Sequence, residues 1–425
     1  MWLTSPDGNQ MIFDNSGFFD VLHVGAGTEK IANVEVIPNA PGQPNRFAVR
    51  DVKPTEPLTL KEMGGGEQAG GNGVLISQAG SLTYYGLHVN DAYVAFRDAV
   101  LLAPNDFDFR SDIADNRFQF PTSSKQLDQV IEFGEAAGLI KSRPVAKAAC
   151  TMELKTSWVD ATTVDSPDEY LIIDAQVPRF IPSGPDRLTL DPDQPTETLS
   201  LAMVGMHIAA PVVGHPELVW TTYEHVKTAP MGTYHYITTK SAAPVGTVSY
   251  PQEQGGWIFA AANTPFPDEI KPIAANITAV DNALIAADGS VAPQSIAQVN
   301  PWGMIAGAQD DQTLSSNTDL ISLNVSLLGR MGDARDHYLQ MGGVWTTGSL
   351  LSGQDRSNQR GGLFLANSTM ETFRQWDPQV PEGKFRPQNC LDCHSTAPEG
   401  NDQRGNFGLA VSHIFQGMAA FTQTE

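Results

Sequence analysis

Between Ala149 and about Ala262 one pattern dominates: β-branched, aromatic and other apolar residues alternate with polar ones in successive runs. Met152–Trp158, Tyr170–Val177, Leu199–Ile208 and Glu217–Val226 each read as a strand, and turn-forming segments such as Pro182-Ser183-Gly184-Pro185 separate them. Strands so close together have only one another to pair with, which predicts a large antiparallel sheet or sandwich. The 38 glycines and 29 prolines fit a chain with many turns.

Outside this stretch the patterning is lighter. Residues 1 to about 53 alternate in short pieces, as in Val21–Val24 and Ile31–Ile37, and read as short strands. Residues 54–73 hold Pro54, Pro57, Gly64-Gly65-Gly66 and Gly70-Gly71, and are expected to form a loop. No Lys-Ser/Thr follows these glycines to make a phosphate cradle. Ser81–Tyr85 predicts a strand. Asn90 is a candidate cap for a helix bearing Val89, Tyr93, Phe96 and Val100, and Thr122 or Ser123 for one over 122–138. A third helix fits 318–331, with Leu320, Leu323, Leu327, Leu328 and Met331 as its stripe. The expected class is α+β and β-rich. It divides into an N-terminal β segment with its loop (1–80), a β-rich body (81–310) and a C-terminal helical and loop segment (311–425).

With 48 acidic and 26 basic residues, the net charge is −22. Such a chain repels nucleic acid and anionic lipid, so neither is an expected partner. No apolar run approaches the ~18 residues needed to span a membrane, and Met1–Gly8 does not have the form of a signal peptide.

The three cysteines are Cys150, Cys390 and Cys393, too few for a disulfide framework. Two of them stand in Cys390-Leu391-Asp392-Cys393-His394, the spacing of a c-type haem attachment site. Two thiols so placed add across the two vinyl groups of one porphyrin, and the next imidazole then lies under the iron. Zinc would need two further ligands, for which only Cys150 and scattered histidines remain. A redox dithiol would want a βαβ frame. One haem c per chain, with His394 as the proximal ligand, is therefore the expected cofactor. Only residues 395–425 follow the motif, so the rest of the haem enclosure has to come from upstream. That placement is similar to the cytochrome c-prime family, including its β-rich branch, as a matter of topology.

Residues 80–425 also resemble a family of uncharacterised bacterial proteins with one C-terminal c-haem motif. The resemblance rests on Leu82–Tyr85, Glu153–Trp158, Val204–Ile208, Val219–Val226, Asn367–Phe373, the haem motif and Val411–Ile414. It implies haem attachment and brings no reaction with it.

The sixth iron position decides the chemistry, since a His or Met ligand makes a carrier and an open site admits a small molecule. His413 is the first candidate for that position, with Met418 and Met370 as alternatives. His207, Glu224 and His225 are candidate catalytic groups of the pocket. Strand alternation puts Tyr223 with His225 on one face and Trp220 with Glu224 on the other. Arg386 and Arg404, with Arg374, are candidates to neutralise the haem carboxylates. His215, Glu217, Glu224, His225 and His235 could instead make a separate metal site. Asp191, Asp193, Asp310 and Asp311 are acidic pairs without a calcium-loop pattern. Cys150 reads as a small buried hydrophobe.

These residues predict a monohaem c-type redox protein that exchanges electrons with a partner protein or small molecule. A haem enzyme acting on peroxide, a nitrogen oxide or a small organic substrate is the alternative, and a gas-binding or sensor protein the third reading. Haem c is attached outside the bacterial cytoplasm, so the expected location is periplasmic or otherwise exported, with a leader already removed.

Overall fold

The computed structural model describes residues 11–14, 17–23, 34–39, 43–47, 58–59, 75–107, 109, 118–141, 151–184, 187–231, 234–240, 244–248, 256–262, 277–279, 296–298, 309–327, 329–347, 359–362, 365, 367–370, 394, 412, 414 and 415. Its centre is one ten-stranded sheet, formed by β1 (Phe18–His23), β2 (Val34–Pro38), β3 (Asn45–Arg46), β4 (Tyr84–Asn90), β5 (Glu153–Asp160), β6 (Ile172–Pro178), β7 (Thr196–Val212), β8 (His215–His225), β9 (Tyr338–Thr346) and β10 (Gln359–Gly361). The main path runs β10-β9-β8-β7-β5-β4-β1-β2, antiparallel at every step. β6 pairs with the first half of β7, and β3 lies parallel to β6. The β-rich α+β class is thus the observed one. The divisions at 80/81 and 310/311 do not separate sheets, because 1–80, 81–310 and 311–425 all contribute strands to this one.

Among the described residues three helices accompany the sheet: α1 (Asp91–Leu102), α2 (Ser124–Ala136) and α3 (Asp311–Leu327). Asn90 caps α1, its side chain accepting from the Tyr93 N–H at 3.0 Å, and it also accepts from the Met152 N–H at 3.0 Å. Val89, expected on that helix, is instead the last inward position of β4. Ser123 and Gln126 form a capping box on α2, and Gly138 leaves it with φ of +74°. α3 begins earlier than its leucine stripe suggests, because Asp310 caps it by accepting from the N–H and hydroxyl of Thr313. That role accounts for the acidic Asp310-Asp311 pair. Asp191 likewise closes its own turn on the N–H groups of Asp193 and Gln194.

The sheet buries both faces, and the two are chemically unlike. Tyr84, Leu154, Trp158, Met206, Ile208 and Tyr223 share one face with Phe13 and Phe47 in an apolar cluster. His88 belongs to it too, stacked on Phe13 and bonded to the buried Asp20 carboxylate at 2.9 Å. The opposite face carries Val89, Ala209, Leu218, Trp220 and Val344 against α1, α2 and the C-terminal residues Ile414 and Phe415. This second face also holds a belt of buried polar side chains, against which Asn367–Met370, His394 and Ser412 lie.

Candidate functional site

The register fixes which residues share that belt. Glu153, Ala209, Trp220 and Val344 form one row across β5, β7, β8 and β9. Lys155, His207 and Thr222 form the next, and Ser157, Gly205 and Glu224 the third. All the polar members are buried. Buried polar groups on a sheet face need partners, and the C-terminal segment supplies many of them.

The third row is covered by Asn367–Met370. Glu224 accepts from the Ser368 N–H at 2.8 Å and from the Ser368 hydroxyl. Asn367 donates to the Thr222 hydroxyl and to the Tyr223 carbonyl, at 2.8 and 3.1 Å. Thr369 meets the Ser157 hydroxyl at 2.5 Å, and its carbonyl accepts from the Tyr85 hydroxyl at 2.7 Å. Gly205 makes this approach possible: a Cβ there would stand 2.6 to 2.9 Å from side-chain oxygens of Thr369, Ser157 and Asn367.

The first row is covered by Ser412 and His394. Ser412 donates to the Glu153 carboxylate at 2.5 Å and shares a 2.6 Å bond with the Tyr93 hydroxyl. Burial pushes the Glu153 carboxyl up to about 7, against the opposing pull of Ser412, Tyr93 and Lys155. His394 is 8% exposed, and its ring lies 4.2 Å from that of Trp220, tilted by 41°. The indole N–H of Trp220 has no acceptor among the described residues. The chain reaches Trp220 through Leu218, whose φ of +68° is the one left-handed value at a described non-glycine residue. Such a conformation costs roughly 1–3 kcal/mol. It persists beside a buried anchor, Glu217, which accepts from the N–H and hydroxyl of Thr346.

The predicted residues therefore separate. His207, Glu224 and His394 share one face, while His225 is on the other. Glu224 is engaged by Ser368, and it does not meet His225. His225 lies between the stacked Tyr170 ring, 3.9 Å away, and the edge of Tyr338. Its Nδ1 accepts from the Lys227 N–H and its Nε2 donates to the Glu169 carbonyl, each at 3.2 Å. Burial lowers its pKa to about 3, so the ring is neutral. Cys390, Cys393, His413, Arg374, Arg386, Arg404, Met418 and Cys150 lie outside the described residues. Met370 is buried against Tyr85.

The alternative metal set does not assemble either. His215 pairs with Glu217 at 2.9 Å, and His235 meets Thr247 on a separate hairpin. Among the described residues, Glu169, His225 and His337 are the three metal-capable side chains that converge. Both nitrogens of His225 are taken by backbone groups, so a metal there would have to break one of those bonds. A cavity of about 300 Å³ opens beside them, lined in part by Asp165, Tyr170, Lys227 and Trp257.

Glu153, Lys155 and Ser157 were not singled out from sequence. Their alternation with Leu154, Thr156 and Trp158 looks like the ordinary solvent face of a strand. The signal that could have found them is the cluster of serine, threonine and asparagine in Asn367–Thr369, residue types suited to bonding a polar sheet face.

No family model matches the chain, and neither a curated protein nor a solved structure was found to match it.

Proposed function

We propose that this chain is an exported monohaem c-type redox protein. In this reading haem is tethered by Cys390 and Cys393, and its proximal imidazole is that of His394. The observation that carries the reading is the attachment motif together with the burial of its histidine on Trp220. The described residues suit such a group. A haem needs an apolar wall, an axial nitrogen donor and counter-charges for two carboxylates. Leu218, Trp220, Val344, Leu365, Ile414 and Phe415 belong to one buried apolar cluster. Bound haem supplies an iron that takes up and gives back one electron.

The protein's own part is to hold and exclude. Asn367, Ser368 and Thr369 on one side and Ser412 on the other bracket the motif in sequence, and all are bonded into the belt. That arrangement ties the tether to the sheet at two places. The apolar cluster keeps water from His394. Glu153 keeps its proton up to near-neutral pH, so it adds little negative charge beneath the site.

Electron transfer ranks ahead of catalysis because the acid–base candidates are dispersed. Glu224 is engaged by Ser368, and His225 lies on the opposite face from His207. The test is an optical and electron-paramagnetic spectrum of the purified holoprotein. A low-spin iron that cyanide, azide and CO leave unchanged is expected, with a distal ligand such as His413. A high-spin iron that binds them readily would favour the enzyme.

No described helix is long and apolar enough to cross a membrane.

A further inference from the structure

We infer that the cavity beside Tyr170 and Trp257 is a binding site for a small neutral polyhydroxylated molecule, of the size and chemistry of a hexose. The inference uses residues away from the haem motif and stands without the haem reading.

Residues 77–79, 163–166, 256–258 and 260–262 meet around this cavity of about 300 Å³, together with Tyr170 and Lys227. Backbone hydrogen bonds fix several of these segments to one another. The Gln78 N–H donates to the Ile258 carbonyl at 2.7 Å, and the Ile258 N–H to the Lys227 carbonyl at 2.9 Å. The Phe259 N–H donates to the Thr228 carbonyl at 3.0 Å. Tyr170 and Ile258 also belong to a buried apolar cluster with Leu75, Val204 and Phe259, so the cavity is backed by core. Ala79, Gly256, Ala260, Ala261 and Ala262 carry little bulk, and that leaves the space open. A preformed cavity at the small end of the range for ligand sites suits a single ring.

The polar groups around it decide the class of ligand. Tyr170 is 5% exposed and lines the cavity, yet its hydroxyl has no hydrogen-bond partner among the described residues. A buried phenol ordinarily finds one. Burial pushes its pKa up, so the group stays a donor at neutral pH. Lys227 adds a second donor and Asp165 an acceptor. The Lys227 ammonium is 3.6 Å from the Glu169 carboxylate, and Asp165 is exposed. The first charge is therefore largely balanced and the second is screened by water. Fixed charge thus gives little purchase on an ionic ligand, while hydroxyl groups that both donate and accept can use all three side chains. Trp257 supplies a second large ring. A pyranose matches this lining, since its C–H face is apolar and its edge carries hydroxyls.

The experiment is calorimetric titration of the full chain with glucose, galactose and mannose, alongside glucosamine and glucuronate, which place a positive and a negative charge on the same ring. At least one neutral hexose should bind, and more tightly than either charged sugar. Tyr170→Phe should weaken that binding about fivefold, the usual worth of one hydrogen bond. Its denaturant midpoint should not move, because the hydroxyl has no partner to lose among the described residues. Trp257→Ala should weaken binding about tenfold through the lost ring surface. No heat from any neutral hexose would overturn the inference, as would tighter binding of a charged sugar. Unchanged affinity in Tyr170→Phe or Trp257→Ala would place any sugar elsewhere and overturn it too. Should Trp257→Ala fail to fold, Tyr170→Phe, which keeps the ring, decides the matter.

Discussion

The two faces of the central sheet are made from the same strands and are buried to similar depth, yet they are built differently. On one, Trp158, Met206, Ile208 and Phe47 pack as ordinary apolar core, and the polar residue His88 is matched with Asp20. On the other, Glu153, Lys155, Ser157, His207, Thr222 and Glu224 stand in three adjacent rows. Hydrogen bonds from residues more than a hundred positions downstream hold much of that belt. An apolar face tolerates any cover of about the right shape. A polar face demands a particular one, because each unmatched group costs on the order of 1–3 kcal/mol. Both faces bury apolar clusters. The second specifies where the described C-terminal residues Asn367–Met370, His394 and Ser412 must lie.

That contrast can be broken by mutation. Trp158→Ala, at a fully buried position of the apolar face, should cost about 3–5 kcal/mol in chemical denaturation. It should leave the haem spectrum of the surviving folded protein unchanged. A spectral change would mean that the faces are not independent.

The pH dependence should show the same division, with opposite signs. Glu153 is raised to about 7 in the folded protein. Its unfolded chain therefore loses the proton first, and stability falls as pH rises from about 4.5 to about 7. His225 is lowered to about 3. Its unfolded chain gains the proton first, and stability falls as pH drops from about 6.5 to about 3. At about 1.4 kcal/mol per unit, each is worth about 3 kcal/mol or more. Denaturant midpoints measured across pH should lose the decline between about 4.5 and about 7 in Glu153→Gln and the decline below about 6.5 in His225→Phe. If each variant instead removed the other's decline, the assignment of the two groups would be wrong.

Gly205→Ala should cost about 1–3 kcal/mol, the usual range for overpacking, because the added methyl meets Thr369, Ser157 and Asn367. Faster proteolysis of the C-terminal segment should accompany that loss, and unaltered protection would show that the segment does not depend on this approach. The smallest effect is expected at Ser123→Ala. Loss of the α2 cap should cost about 1 kcal/mol, with no change at either face.

Much of the fold was legible because it rests on local pattern. The runs beginning at Met152, Tyr170, Leu199 and Glu217 contain the cores of β5 to β8, and Asn90 and Ser123 are the caps expected of them. The joining of all three sequence segments into one sheet was not legible. Pairing such as β4 with β5, or β8 with β9, depends on contacts across long intervals that no local period records. At the site, strand alternation separated Glu224 from His225 correctly. It could not reveal that a stripe of Glu153, Lys155 and Ser157 is buried, since a covered polar face and a solvated one have the same sequence. Glu224 was a reasonable acid–base candidate by residue type. Its engagement by Ser368 becomes visible only when residues 144 positions apart are brought together.

The central claim is that Cys390 and Cys393 carry haem covalently and present it to the face that buries His394. The most direct measurement is a haem stain and pyridine haemochrome spectrum of the denatured protein, made in a host with cytochrome c maturation machinery. The account predicts one haem per chain that survives denaturation in the wild type, and none that survives in the variant with both cysteines replaced by alanine. A denatured wild-type chain without haem, or a double variant that retains it, would contradict the account.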